Sequence, residues 1–250
     1  MAYMRALPKL FLIQAKLYLR EPIAAFFTLL FAPLLLVLMG LIFGNEPRPE
    51  FSGKGYLDVY LPAYAAIVIA IVGLIGMPIE TTNRRELGVL RRFRATPLRP
   101  LVYIVSEVLV YFAMTLLGIL LLFLLGITVY RVPFEGNVLA MTAGIILSIA
   151  AFLAMGYVLV SLAPSPRAVT VIGNILLYIM VYLSGGTVPL EVMPEAVQNI
   201  TRFIPLTYVV NLLKGLWVGE TLGEHLLDIA VLAGITVVGT IIAALFFRWE

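Results

Sequence analysis

The stretch Glu80-Thr-Thr-Asn-Arg-Arg-Glu-Leu-Gly-Val-Leu-Arg-Arg-Phe-Arg-Ala-Thr-Pro-Leu-Arg-Pro100 sets six arginines (Arg84, Arg85, Arg91, Arg92, Arg94, Arg99) between two long apolar runs. The surrounding chain of 250 residues is 62% hydrophobic and 12% charged, with a mean hydropathy of +1.06. No soluble domain of this size needs so much apolar surface, so the composition specifies an integral membrane protein. In that setting a basic cluster between spans fixes topology, and it is also where the protein can meet a soluble partner.

Working outward, hydropathy resolves six spans at roughly 23–43, 57–79, 102–129, 138–162, 168–188 and 226–247. Each is near the ~20 residues that cross a bilayer core. All six are expected to be helices, because an unsatisfied backbone group is costly in lipid. The first apolar run begins only after Arg20 and Glu21, so no cleavable leader is expected. With the N-terminus cytoplasmic, the inner segments hold Arg5, Lys9, Lys16, Arg20, the six loop arginines, Arg167 and Arg248. The outer segments hold only Arg48, Lys54, Arg131, Arg202 and Lys214. That asymmetry places both termini in the cytoplasm of a multi-pass plasma-membrane protein. The net charge of +3 then reflects inner-face placement. No aromatic and basic platform for nucleic acid is present.

Residues 1–22 alternate apolar side chains (Leu7, Leu10, Phe11, Ile13, Leu17, Tyr18) with Arg5, Lys9, Lys16 and Arg20. They suit an amphipathic helix in the headgroup region, or else a short basic tail. In the 80–100 segment, Leu87, Leu90 and Phe93 recur at helical spacing, which predicts a short helix from about Asn83 to Arg94 that stops before Thr96-Pro97. Its apolar edge could enter a groove on a soluble partner while its guanidinium groups meet acidic residues there; attraction to anionic lipid is the plainer alternative.

An acidic residue, Arg84-Arg85-Glu86-x-Gly88, a leucine-containing turn and Arg94-Ala95-Thr96-Pro97 resemble the cytoplasmic signature of the ABC-2 family of transporter permeases. A second resemblance runs from Leu183-Ser184-Gly185-Gly186 through Pro189 and Met193-Pro194 to Ile204-Pro205-Leu206-Thr207-Tyr208. Together with the six spans, these cover essentially the whole chain as one transmembrane domain, 1–250. The resemblance implies a permease subunit that binds no cofactor of its own, partnered by separate ABC ATPase subunits that carry ATP and Mg. It also implies a second permease copy, identical or paralogous. It assigns docking on the ATPase to Glu80, Arg84, Arg85, Glu86, Gly88, Leu90, Arg91, Arg92 and Arg94, on what the family calls the coupling helix. The chain itself has no phosphate-binding loop, since Gly53-Lys54 is followed by Gly55.

Residues 189–225 are long for a simple loop and keep Val192, Met193, Val197, Ile200, Phe203 and Ile204. They read as an extracellular re-entrant hairpin closed by Pro205 and followed by a helix from about Thr207 to Val218, or as an amphipathic loop on the outer surface. Gly185, Gly186, Pro189, Pro194, Pro205 and Tyr208 mark it, and the family resemblance favours a cap over the exit of a pathway. Asn174, Tyr178 and Tyr182 fall on one stripe of the fifth span, which can line a substrate route or join two helices. Glu107, near the inner end of the third span, is expected to snorkel or to pair with a loop arginine. Gly40 and Gly44 form a GxxxG, and His225 reads as a solitary surface residue.

Cysteine is absent, no metal-ligand spacing occurs, and no nucleophile and base pair stands in a span, so an intrinsic catalyst is not expected. The expected function is ATP-driven export of a small hydrophobic, drug-like or lipidic substrate. An ion- or proton-coupled secondary transporter and a non-transporting membrane scaffold are the alternatives.

Overall fold

Polar residues at the ends of apolar runs decide where the helices start and stop. Asn137 accepts from the backbone N–H groups of Leu139 (2.8 Å) and Ala140 (3.2 Å) and so opens one span. Ser165 caps another through Ala168 N–H at 3.3 Å, with Pro166 in the first turn. Asn45 accepts from Leu57 N–H at 3.0 Å and donates to Asp58 at 2.9 Å, while Asp58 accepts from Gly55 N–H at 2.8 Å. These caps satisfy donors that neither lipid nor the helix itself can satisfy.

The computed structural model describes residues 2–47, 53–89, 100–187 and 193–247. It contains α1 (Ala2–Arg20), α2 (Pro22–Ala25), a π-helical stretch Phe26–Leu30, α3 (Phe31–Phe43), α4 (Tyr56–Ile71) and a second π stretch Val72–Gly76. There follow α5 (Met77–Glu86), α6 (Pro100–Thr128), α7 (Val138–Leu162), α8 (Pro166–Leu183), α9 (Glu195–Thr201), α10 (Pro205–Trp217) and α11 (Leu226–Phe246). Among the described residues there is no strand.

Among the described residues, six helices are long and apolar enough to span a membrane: Phe26–Phe43, Tyr56–Glu86, Val102–Thr128, Val138–Leu162, Pro166–Leu183 and Leu226–Phe246. The second and fourth spans form the centre, being 78% and 61% buried, whereas the first and sixth are 17% buried and face outward. Lipid tails are as apolar as leucine, so such a bundle is held by close packing rather than by exclusion of water. The second π stretch shows this best. A Cβ on Gly156 of α7 would lie 2.2 Å from the Gly73 carbonyl oxygen, and one on Gly173 of α8 would lie 2.4 Å from that of Leu74.

The chain ends and helix ends sort onto two faces. The chain's arginine face gathers α1, the Leu87–Gly88 turn, the α7–α8 junction and the end of α11; the opposite face gathers residues 44–47 and 53–55, residues 129–137 and α9–α10. Helix α1 packs along α6: Gln14 and Tyr18 are buried, Ser106 Oγ donates to Gln14 at 3.2 Å, and Tyr18 meets Tyr111 edge to face at 5.2 Å. On the opposite face Trp217 anchors α10, donating to the Pro133 carbonyl at 2.9 Å between Phe123 and Phe134.

Several expectations shift. The second span is longer than 57–79 and runs through the start of the helix expected over Asn83–Arg94, stopping at Leu87–Gly88. Gly88 has φ +67° and its N–H reaches the Arg85 carbonyl at 3.0 Å, a helix-ending turn that a residue with a side chain resists. The remainder of that expected helix lies outside the described residues. In the GxxxG of the first span, Gly40 makes room for the Tyr130 ring, and Gly44, at φ +68°, ends α3.

Candidate functional site

Arg84 and Glu80 are one turn apart on α5 and pair at 2.6 Å. The same guanidinium donates to the Tyr103 hydroxyl at 3.3 Å and faces the Glu107 carboxylate at 3.6 Å, both on α6. Glu107 is 1% exposed, and its second oxygen accepts from the Tyr157 hydroxyl of α7 at 2.8 Å. A carboxylate this deep survives only with a counter-charge and hydrogen bonds. The pairing of Glu107 with an arginine from the 80–100 segment is thus found, and it joins three helices.

Arg85 points the other way. Its two terminal nitrogens donate to the carbonyls of Val160 and Ala163, each at 3.0 Å, closing the C-terminal end of α7. The last carbonyls of a helix lack intrahelical partners, and a guanidinium answers two of them at once. Arg84 and Arg85, assigned by resemblance to a docking surface, are therefore turned into the bundle, because the helix continues past both and aims adjacent positions at α6 and α7. Glu86 and Leu87 are exposed, Leu87 at 73%. Leu90, Arg91, Arg92 and Arg94 lie outside the described residues. Beside Glu86 and Leu87 a groove of about 640 Å³ is bordered by Arg85, Ser161, Pro164 and Phe246.

A second cavity of about 870 Å³ rises from the arginine face between the first, second and fifth spans. Phe27, Phe31, Ile75 and Tyr111 form much of its wall, with Asn174 and Tyr178 contributed by α8. The Asn174 amide donates to the Thr170 carbonyl at 2.7 Å, which fixes its orientation. Tyr178 is 59% exposed and Tyr182 62%, and Tyr182 does not border this cavity. Asn174 and Tyr178 thus border one cavity, and Tyr182, one turn further along the same face of α8, is exposed beyond it.

On the opposite face, Gly185 and Gly186 form a buried turn after α8. The Gly185 carbonyl accepts from the Lys214 ammonium at 2.9 Å, and that ammonium also sits 5.0 Å from the centre of the Tyr60 ring. Pro194 precedes α9, Pro205 opens α10, and the Tyr208 hydroxyl donates to the Arg202 carbonyl. Pro189 lies outside the described residues. His225 is not a surface residue: it is 8% exposed and held between Glu220 (2.8 Å) and Asp228 (2.7 Å), tying the loop after α10 to the first turn of α11. Among the described residues no cluster suits a metal ion.

Sequence reasoning missed Tyr103, Tyr157 and Lys214. The spacing of Tyr103 and Glu107, one helical turn apart, was a usable signal. Tyr157 and Lys214 are joined to their partners across 50 and 29 residues, which no local pattern reports.

A bundle of six helices long and apolar enough to cross a bilayer, with the Arg84 and Arg85 networks binding three of its helices at one end, is the architecture of a polytopic membrane protein. The chain belongs to the ABC-2 family: the profile of ABC-2 family transporter proteins matches residues 45–245. It is 28% identical over 184 residues to the inner membrane transport permease YhhJ of Escherichia coli, covering 68% of this chain and 46% of that one. It is 22% identical over 158 residues to the probable multidrug ABC transporter permease YbhS of the same organism, covering 63% and 42%. Nodulation protein J of Rhizobium leguminosarum is 30% identical over 98 residues, covering 39% and 38%. The chain thus spans less than half the length of these curated relatives.

Proposed function

We propose that the chain is the permease subunit of an ATP-driven exporter that moves a small hydrophobic, drug-like or lipidic substrate outward. In this reading two permease copies enclose the path, separate ABC ATPase chains bind ATP and Mg, and the arginine face is cytoplasmic. The observation that carries it is the pair Arg84–Arg85. Any displacement of the exposed Glu86–Leu87 segment acts on α5, and through these two side chains on α6 and α7 together. A soluble partner bound there can therefore bias three spans at once, provided that it prefers one of their arrangements. The excess of basic residues on that face supports the orientation. The outward face of α8, with Ile175, Tyr178, Ile179 and Tyr182 exposed, supports a second permease copy as its cover. The buried α10 supports a cap at the exit.

Capture of the solubilised protein from its native membrane, with mass spectrometry and an ATPase assay of what accompanies it, tests the reading. A P-loop ATPase is expected. An intact preparation without one would put the secondary-carrier and scaffold readings ahead. Glu86→Ala is expected to leave membrane insertion intact and to reduce the recovered ATPase several-fold; unchanged recovery would remove this segment from the docking surface. Tyr178→Ala is expected to lower transport with expression and ATPase recovery unchanged. Equal transport across a panel of cargos would reduce Tyr178 to packing.

A further inference from the structure

The cavity between the first, second and fifth spans has a chemically lopsided mouth. Glu21 and Glu80 border it at the arginine face, with Asn83 beside them and Arg20 at the rim. Glu80 is engaged by Arg84, and the same guanidinium also answers the buried Glu107. Of the charged side chains on the lining, the carboxylates of Glu21 and Glu80 outnumber the single guanidinium of the exposed Arg20, while Arg84, which pairs with Glu80, stands off the lining. Burial first and then the Glu80 carboxylate raise the Glu21 carboxyl above its ordinary range, against the pull of Arg84. Above the mouth the lining is apolar and aromatic, with Phe27, Phe31, Tyr111 and Tyr178 alongside Ile75 and Leu177. The volume, about 870 Å³, lies within the ~300–1,000 Å³ of small-molecule sites.

We infer that this cavity binds a cationic amphiphile, its positive centre at Glu21 and its apolar body among Phe27, Phe31 and Tyr178. A cation there answers a carboxylate that has only a share of one guanidinium, and the aromatic lining offers an apolar body polarisable surface that a neighbouring cation tolerates. An anion of the same shape meets Glu21, exposed at the rim, and Glu80 with like charge. This assignment rests on the permease reading and narrows its substrate class from hydrophobic cargo in general to hydrophobic cations.

Tetraphenylphosphonium and tetraphenylborate have nearly the same shape and opposite charge, so they separate the ionic contribution from the apolar one. Their binding is measured on the full chain in lipid nanodiscs, with empty nanodiscs subtracted. The wild type is expected to bind the cation at least tenfold more tightly than the anion. Glu21→Gln is expected to erase most of that preference by weakening the cation, and Glu21→Asp to restore it. Arg20→Gln is expected to strengthen cation binding, which a folding defect cannot do, and Tyr178→Ala to weaken both ions. Equal binding of the two ions by the wild type overturns the assignment, as does a preference that Glu21→Gln leaves intact. Failure of the permease reading registers separately, as absence of an accompanying ATPase in the capture experiment.

Discussion

Arg84→Ala is expected to be among the most damaging single substitutions in this chain, costing about 3–5 kcal/mol of stability, the range seen when one member of a buried ion pair is removed. The reason is what remains behind. Glu107 stays 1% exposed, with one oxygen still accepting from Tyr157 and the other facing no positive charge. Glu80 loses its 2.6 Å partner, and Tyr103 loses its link to α5. Arg84→Lys keeps the charge but not the fork that reaches Glu80 and Tyr103 together, and it should fall between wild type and alanine. Arg84→Met combined with Glu107→Leu removes both charges and should recover most of the loss, because the penalty lies in the orphaned carboxylate rather than in a large net value of the pair. Thermal melts of the wild type, Arg84→Ala, Arg84→Lys and the double variant in one detergent make the comparison. A change for Arg84→Ala no larger than that for Lys16→Ala, an exposed position on α1, would show that Glu107 finds another partner and that the network does not bind α5 to α6 and α7.

How far this site could be read from the chain depends on the range of the interactions. The six spans were legible because a bilayer imposes length and hydropathy on each of them locally. The fourth, expected at 138–162, is found at Val138–Leu162 because Asn137 and the residues after Leu162 mark its ends in the sequence itself. Glu107 stood out because a carboxylate within an apolar run requires a partner, and the arginine cluster was the nearest source of one. Which arginine serves it, and that its neighbour Arg85 turns instead to α7, depends on helix phase: one continuous helix through Glu86 aims the two side chains in different directions. The reading as a separate short helix gave no such phase. His225 was misjudged for a related reason. Glu220 and Asp228 flank it in sequence, but only the return of the chain into α11 brings both to its ring.

Gly156→Ala is expected to be nearly as damaging, although it adds a single methyl group. That carbon would lie 2.2 Å from the Gly73 carbonyl oxygen, 2.7 Å from the end of the Met77 side chain and 3.0 Å from Pro78, so α7 and the second span must separate to admit it. Overpacking of a well-formed core usually costs about 1–3 kcal/mol, and a clash with backbone, which cannot change rotamer, belongs at or above the top of that range. Gly234→Ala supplies the internal control: nothing lies within 4 Å of its Cβ position in α11, and the gain in helix propensity should leave stability unchanged or raised by about 0.5–1 kcal/mol. The comparison bears on coupling. Val72–Gly76 is π-helical, the kind of local irregularity that often accompanies function, and α7 and α8 grip it from two sides through Gly156 and Gly173. If Gly156→Ala destabilises as expected, the second span is clamped at mid-length, and a push on Leu87–Gly88 can reach the cavity between the first, second and fifth spans only by tilting α5 about that clamp, with Ile75 and Glu80 moving along its wall. If the added methyl is tolerated with an unchanged melting temperature, the helices have room to slide, and the second span moves as one rod from Tyr56 to Glu86.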